Sequence, residues 1–324
     1  MAIKNDDRVL VTAARRFAAD HGLEVEALSH DWLLILTTPD GRRLPLFGYD
    51  IGLNSATTLR IANDKAATSD MLSARGVAHI AHRLFLNPDL HVYTRGQGNW
   101  AALTAAFDAA GQDVVLKSNE GTSGKDVFRV RTQLELERTA HELFRTERSI
   151  ALSRFTPIRG ETRFVVLDGA VRLAYTKQAP MLTGDGQTPL RDLLARAMVP
   201  EMGPSLGAWL EGADAADLDT VPAAGEHLPI GWRHNLGQGG TIIPVATDAP
   251  GADLALAAAA ALDLRFGSVD IAHAATPQGD ARDLVMEVNA GVMLEHFARS
   301  APDRREAVIA TYAEALGLLL SATA

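Results

Sequence analysis

The sequence predicts an α+β protein whose sheets are built from antiparallel hairpins. Three observations lead there. Turn dipeptides of the Asp-Gly kind, Asp40-Gly41 and Asp168-Gly169, sit between short β-type runs. Apolar residues at helical spacing recur near both ends of the chain, around Val9 to Phe17 and Arg304 to Leu320. The strict alternation of strand and helix that a parallel sheet requires is missing.

Element by element, Asn5-Asp6-Asp7 is expected to cap a first helix whose apolar side is Val9, Leu10, Ala13 and Phe17, closed by His21-Gly22. Trp32 to Thr38 and Arg43 to Tyr49 read as a hairpin across Asp40-Gly41. Asp64 to Arg75 reads as helix, stopped by Gly76. After a breaker-rich stretch from Asn87 to Asn99, a helix is expected over Trp100 to Ala110 and a strand over Val114 to Lys117. A glycine loop from Glu120 to Asp126, a strand from Val127 to Val130 and a helix from Gln133 to Arg145 follow. Arg163 to Leu167 and Val171 to Tyr175 flank the second turn. Residues 181–231 are loop-rich, with a helix at Leu190 to Met198. An alanine-rich helix at 251–263, two strands and the final helix complete the chain.

At 324 residues, and roughly 150 residues per domain, about two domains are expected. Apolar residues are 47% and charged residues 22%, which excludes a disordered chain, a collagen-like fibre and a coiled coil. The net charge of −9 argues against nucleic acid or an anionic membrane as partner, since both attract a basic face. With no cysteine there are no disulfides, thiolate metal sites or cysteine nucleophiles. The acidic first residues do not resemble a secretion signal, and the longest apolar run, Leu254 to Leu262, falls short of the ~20 residues that span a bilayer. A cytoplasmic location is therefore expected.

The chemistry concentrates toward the C-terminus. A hairpin centred between Gln278 and Gly279 makes Asp270 and Glu287 direct cross-strand partners, with Asn289 two residues on along the same face. Val269, Ile271, Met286 and Val288 then fill the other face. Like charges opposed on a sheet repel unless something neutralises them. A hard divalent cation does so, and Mg²⁺ accepts Asp, Glu and Asn oxygens while keeping positions for phosphate.

Upstream, the buried-looking strand Val114 to Lys117 ends on a cation. Glu120, Gly121, Thr122, Ser123, Gly124 and Lys125 then form a flap whose backbone amides can close over phosphates. It is not a Walker A loop, because Gly124-Lys125 is followed by Asp126. Gly96-Gln-Gly98-Asn-Trp-Ala101 matches a dinucleotide pattern by letter but lacks the βαβ surroundings, and reads as a loop before a helix. A second glycine segment, Trp232 to Gly240, sets Arg233 and Asn235 beside flexible backbone suited to an anion.

Taken in order from about Asn63 to Phe297, these pieces resemble the ATP-grasp superfamily of carboxylate–amine ligases. Within it the chain looks most like the branch of cyanophycin synthetase, bifunctional glutathione synthetase and the ribosomal-protein glutamate ligase. Gly184-Asp-Gly-Gln-Thr188 and Arg233-x-Asn235-Leu-x-x-Gly-Gly carry that placement. The resemblance implies ATP bound between two α+β subdomains: a short leading region over 1–62, a lid subdomain over 63–148 and a metal and substrate subdomain over 149–324. It implies that Lys65 and Lys117 hold the α and β phosphates, that 120–125 cover the β and γ phosphates, and that Ile150 to Thr156 hold adenine. Ser153, Arg154 and Phe155 lie in that hinge, and Ser153-Arg154 stands where relatives usually carry acids. Glu161 takes the ribose hydroxyls, Asn235 lies near the γ-phosphate, and Asp270, Glu287 and Asn289 hold magnesium, with two ions expected and Mn²⁺ acceptable. Arg163, Arg233 and Lys177 are candidates for the transferring phosphate or the tetrahedral oxyanion.

The implied reaction joins an amino-acid or peptide carboxylate to an amine through an acyl phosphate, releasing ADP and phosphate. Arg159, His234, His296 and Arg299 are candidates for contacts to substrate carboxylates. The resemblance also allows a homo-oligomer. Two other readings stay open: a silent ATP-binding module, favoured by the Ser153-Arg154 departure, and a small-molecule kinase on the same fold.

Overall fold

Helix α1 spans Val9–His21 in the computed structural model, which describes residues 8–93, 100–120, 126–178, 181–197, 215–229, 240–275 and 281–322. Its apolar side, including Leu10, Ala13, Ala14 and Phe17, is buried, and it ends where Gly22 enters the left-handed region at φ 66° and donates its N–H to Ala18 O. The expected caps Asn5, Asp6 and Asp7 lie outside the described residues. Arg8 is the N-cap and makes no side-chain cap bond. Its guanidinium instead lies between Trp32 and Tyr49, 4.6 and 4.9 Å from their ring centroids.

Strands β1 (Glu24–Leu28), β2 (Leu33–Thr37) and β3 (Arg43–Phe47) form an antiparallel sheet in that order. The expected hairpin thus gains a third strand. The Glu-Val-Glu-Ala-Leu of β1 lies mostly exposed at the sheet edge, so burial leaves no apolar alternation to read there. Leu34, Leu36, Leu44 and Leu46 supply the buried face.

Helices α2 (Ala56–Asn63) and α3 (Lys65–Ala74) follow, capped by Ser55 and Asp64. Next come β4 (Arg83–Leu86), a 3-10 turn over Pro88–Tyr93, α4 (Trp100–Ala109), β5 (Val114–Ser118), β6 (Val127–Val130), α5 (Gln133–Phe144) and β7 (Ser149–Arg154). The strands form a sheet of order β4-β7-β5-β6. Phe85, Leu103, Phe107, Leu116, Leu136 and Ile150 sit in one buried cluster between this sheet and its two helices. Because side chains alternate along a strand, Val114 and Leu116 in that cluster put Lys117 on the opposite face. Neither β4 nor β7 is expected from the sequence; both are defined by long-range pairing, β4 with β7 and β7 with β5.

Strands β8 (Ile158–Leu167) and β9 (Ala170–Gln178) flank Asp168 and Gly169, both at positive φ (43° and 75°), as a primed two-residue turn requires. After β10 (Met181–Thr183), α6 (Leu190–Ala197), α7 (Ala215–Leu218), β11 (His227–Pro229) and β12 (Thr241–Pro244), the chain forms α8 (Ala252–Ala261), β13 (Phe266–Ala275), β14 (Ala281–Asn289), α9 (Glu295–Arg299) and α10 (Pro302–Ala322).

Two compact units result among the described residues: one within Tyr175–Val245, the other made of the chain before it, up to Ala174, and after it, from Ala246. In the smaller unit, β10 pairs with β11, Leu182, Leu190 and Leu194 form a core, and the end of β9 pairs antiparallel with β12. In the larger unit, β8, β13 and β14 are successive neighbours in one antiparallel sheet, which α8 covers on one side. Gly251, at φ 95°, starts α8 where a Cβ would stand 3.0 Å from the Ile271 side chain. On that same side His273 bonds Thr162 at 2.8 Å and Asp283 at 2.7 Å, linking the three strands. Among the described residues, no helix is long and apolar enough to cross a membrane.

Candidate active site

Lys65 opens α3, and one residue ties that opening to β5. Asn119 is fully buried two positions beyond Lys117. Its carbonyl oxygen accepts from the Lys65 N–H at 3.2 Å and from Lys65 Nζ at 3.4 Å, and its side-chain oxygen accepts from the Ala66 N–H at 3.1 Å. Asp64 accepts from the Ala67 N–H at 2.8 Å. The first three N–H groups of the helix, which have no partner within it, are thereby satisfied. The start of α3 and the end of β5 behave as one joint, with a lysine on each side.

Burial makes both ammonium groups costly. It lowers the pKa of Lys65, against the pull of Glu287 and Asp64. It brings Lys117 down to about 8, with Glu287 and Glu161 opposing and Lys65 reinforcing the drop. His82 is buried as well, and burial followed by Lys117 and Lys65 holds it well below its ordinary value, hence neutral. Its Nε2 has no hydrogen-bond partner among the described residues. Residues 78–80 run along β14: the Ile80 N–H donates to Val285 O at 2.9 Å, and the Val285 N–H to Ala78 O at 3.0 Å. A cleft lined by Lys65, Ser69, His79, His82, Met286 and Glu287 lies at this junction.

The acidic face is a cross-strand row. Arg163 on β8 faces Asp270 on β13, which faces Glu287 on β14. The guanidinium donates to both Asp270 oxygens at 2.6 Å, and Asp270 is 1% exposed. A fixed arginine therefore already offsets one of the two opposed carboxylates. Glu161, buried and two residues from Arg163 on the same face, faces Ala272. The expected register holds for Asp270–Glu287, Val269–Val288 and Ser268–Asn289, then slips by one at a bulge, so that Ile271 faces Val285. A regular hairpin centred between Gln278 and Gly279 is thus corrected: the extra residue is Met286, half-buried at the bulge.

Ser268 Oγ and Asn289 Nδ2, on facing residues, are buried with no hydrogen-bond partner among the described residues. A Cβ on Gly267 would stand 2.7 Å from the Asn289 carbonyl oxygen, so only glycine lets the strands approach this closely. Among the described residues no group of three or more His, Asp or Glu side chains is gathered for a metal. The candidate set is instead two carboxylates and an amide. Such hard oxygen donors fit Mg²⁺, which takes one or two carboxylates and completes its shell with phosphate and water.

Ser153 and Arg154 end β7, facing Val115 and Val114 of β5. The ladder with β4 stops at Leu152, so beyond it the described strands pair them on the β5 side. The Phe155 N–H donates to Asp113 O at 2.9 Å, and Arg129 lies 3.5 Å from its ring centroid. Glu120 is exposed and within electrostatic reach of Lys65. His296 is held below its ordinary pKa by burial and then by Arg299 and Arg163. Lys177 is buried in the other unit, facing Ile242. Gly121, Thr122, Ser123, Gly124 and Lys125, together with Arg233, His234 and Asn235, lie outside the described residues. Sequence reasoning missed Asn119, His82 and Glu147, whose carboxylate accepts from Ser118 Oγ at 2.9 Å. Asn119 was within reach, two positions from a lysine already singled out. His82 had no local signal.

No family model and no curated protein matches this sequence. Solved structures do. A bifunctional glutathione synthetase from Pasteurella multocida superposes with a TM-score of 0.51 at 17% identity, covering 90% of this chain and 41% of that one. The chain thus spans less than half the length of that protein. A D-alanine–D-alanine ligase from Bacillus anthracis gives a TM-score of 0.49 at 14% identity over 80% of this chain and 70% of that one. The D-cycloserine synthetase DcsG gives 0.45 at 19% over 78% and 71%. The fold of this chain is α+β and of the ATP-grasp kind.

Proposed function

We propose that this protein is an ATP-dependent ligase joining an amino-acid or peptide carboxylate to an amine through an acyl phosphate. The observation that carries the reading is the meeting of two half-buried lysines, the buried Glu161 and the Asp270–Glu287–Asn289 face within one unit of an ATP-grasp fold. Lys65 and Lys117 would take the α and β phosphates, whose charge offsets the cost of burying two ammonium groups. Glu161 would accept the ribose hydroxyls, and the backbone of 153–155 would take the adenine edge.

Asp270, Glu287 and Asn289 would hold Mg²⁺, which when bound neutralises phosphate charge and orients the γ-phosphoryl group. Arg163, anchored on Asp270, is rigid beside them, and a preset cation needs no reorganisation as charge develops on the transferring oxygens. The substrate carboxylate attacks the γ-phosphorus and ADP leaves. The amine then adds to the acyl carbon and phosphate leaves. No side-chain nucleophile is needed, because positioning and electrostatics carry phosphoryl transfer. In the same reading Lys177 and Arg233 are further candidates for the transferring phosphate or the tetrahedral oxyanion, Asn235 for the γ-phosphate, and 121–125 for the phosphate cover.

The test is ATP consumption with Mg²⁺ over a pool of carboxylates, with hydroxylamine as a general amine. A hydroxamate accompanied by ADP supports the ligase, and its mass names the acyl donor. ADP with a stable phosphorylated acid overturns the ligase in favour of a kinase.

A further inference from the structure

The outward face of the β1-β2-β3 sheet carries a largely exposed apolar cluster at one end. Side chains alternate, so with Leu34, Leu36, Leu44 and Leu46 buried, the other face carries three cross-strand rows. They are Leu28–Leu33–Phe47, Glu26–Ile35–Pro45 and Glu24–Thr37–Arg43. Phe47 is 62% exposed and Leu28 40%, and Trp32, 41% exposed, packs edge-on against Phe47 with ring centroids 6.4 Å apart. These are three of the eight large hydrophobic side chains found exposed among the described residues, gathered on one small sheet. Such a cluster on a soluble protein marks a surface that another molecule covers.

The charges say which molecule. The acids Glu24 and Glu26 lie on β1 at one edge and Arg43 on β3 at the other, from where it reaches Glu26 of its own face at 3.3 Å. We propose that this face is a homodimer interface, formed by two copies stacked about a twofold axis that runs along the strands over β2. That axis lays β1 of each copy on β3 of its partner, row on row. Leu28 then meets the partner's Phe47, Leu33 meets the partner's Leu33 and Ile35 the partner's Ile35. At the polar end Glu24 meets the partner's Arg43, twice by symmetry. A twofold axis running across the strands would instead set Leu28 on the partner's Glu24 and Phe47 on the partner's Arg43. Of the two, only the first arrangement brings Glu24 to an arginine and Leu28 to Phe47, with Glu26 kept by its own Arg43; it is also the aligned stacking that two twisted sheets adopt.

Sedimentation velocity on the full chain across a dilution series tests it. Wild type is expected to dimerise, and Phe47→Asp to raise the dissociation constant at least about tenfold while circular dichroism stays unchanged. Arg43→Glu and Glu24→Arg are each expected to weaken the dimer, since each sets like charges opposite one another. Mixed in equal amounts, the two variants have opposite charges at both contacts and should form a heterodimer. That readout stays decisive if Phe47→Asp fails to fold. A monomer throughout the series, a dimer that Phe47→Asp leaves intact, or a mixture with no heterodimer overturns the proposal.

Discussion

Arg163 holds both carboxylate oxygens of Asp270 at 2.6 Å, and Glu287 faces the same aspartate from the other side. The pair is more than a structural ion pair: it leaves the row with one net negative charge and a rigid guanidinium beside the proposed phosphoryl site. Removing one partner of a buried pair strands the other charge. Arg163→Ala should therefore destabilise the protein by about 3–5 kcal/mol, with much of the loss recovered on adding Asp270→Asn. Urea denaturation checks this; a loss under about 1 kcal/mol would show that Asp270 is neutralised elsewhere.

Lys117 provides a pH signature. Its pKa stands at about 8 because burial penalises the ammonium, against 10.5 ordinarily. Phosphate binding favours the charged form, so ATP affinity should fall as pH rises past about 8, by up to tenfold per pH unit until the pKa of the complex is reached. Titration calorimetry should show proton uptake on binding at about pH 8.5. Lys117→Arg, which stays charged, should abolish both effects.

The same depression has a sign for stability. A lysine whose folded pKa is lowered penalises the folded state at neutral pH, and that penalty is relieved between about 8 and 10.5. Lys117→Met should accordingly raise the melting temperature of the ATP-free protein at pH ~7 while abolishing ATP binding. An unchanged or lower melting temperature would mean the ammonium is better solvated than its burial indicates.

Glu287 is proposed both to hold the metal and to support the lysines. Glu287→Gln keeps the shape, and should lower turnover by at least about a hundredfold, some 2.7 kcal/mol of transition-state stabilisation. Losing the carboxylate should also move the pH break in ATP binding downward, because Glu287 raises the pKa of Lys117. Full turnover in this variant would end the metal assignment.

Asn119→Ala removes the side-chain acceptor of the Ala66 N–H while leaving the backbone acceptor of Lys65. A stability loss of about 1–3 kcal/mol is expected. With the first turn of α3 loosened, KM for ATP should rise more than kcat falls. A variant with normal KM would show that Lys65 needs no help from β5.

Local rules sufficed for much of this protein. Asp168-Gly169 specified its turn because two positive φ values suit few other dipeptides, and the cap at Asp64 and the glycine stop after α1 are short-range chemistry. The Asp270–Glu287–Asn289 set was legible because one hairpin holds it, so residue spacing reports spatial distance. Tertiary structure decided what spacing cannot carry. Arg163 reached Asp270 through the β8–β13 ladder, across more than a hundred residues, and turned two opposed acids into a neutralised pair with one spare charge. The bulge at Met286, the edge strand β1, and the placing of Asn119 and His82 beside the lysines also depend on long-range pairing and burial, which no window of sequence contains. The residue types chose the chemistry; the ladders chose which residues share it.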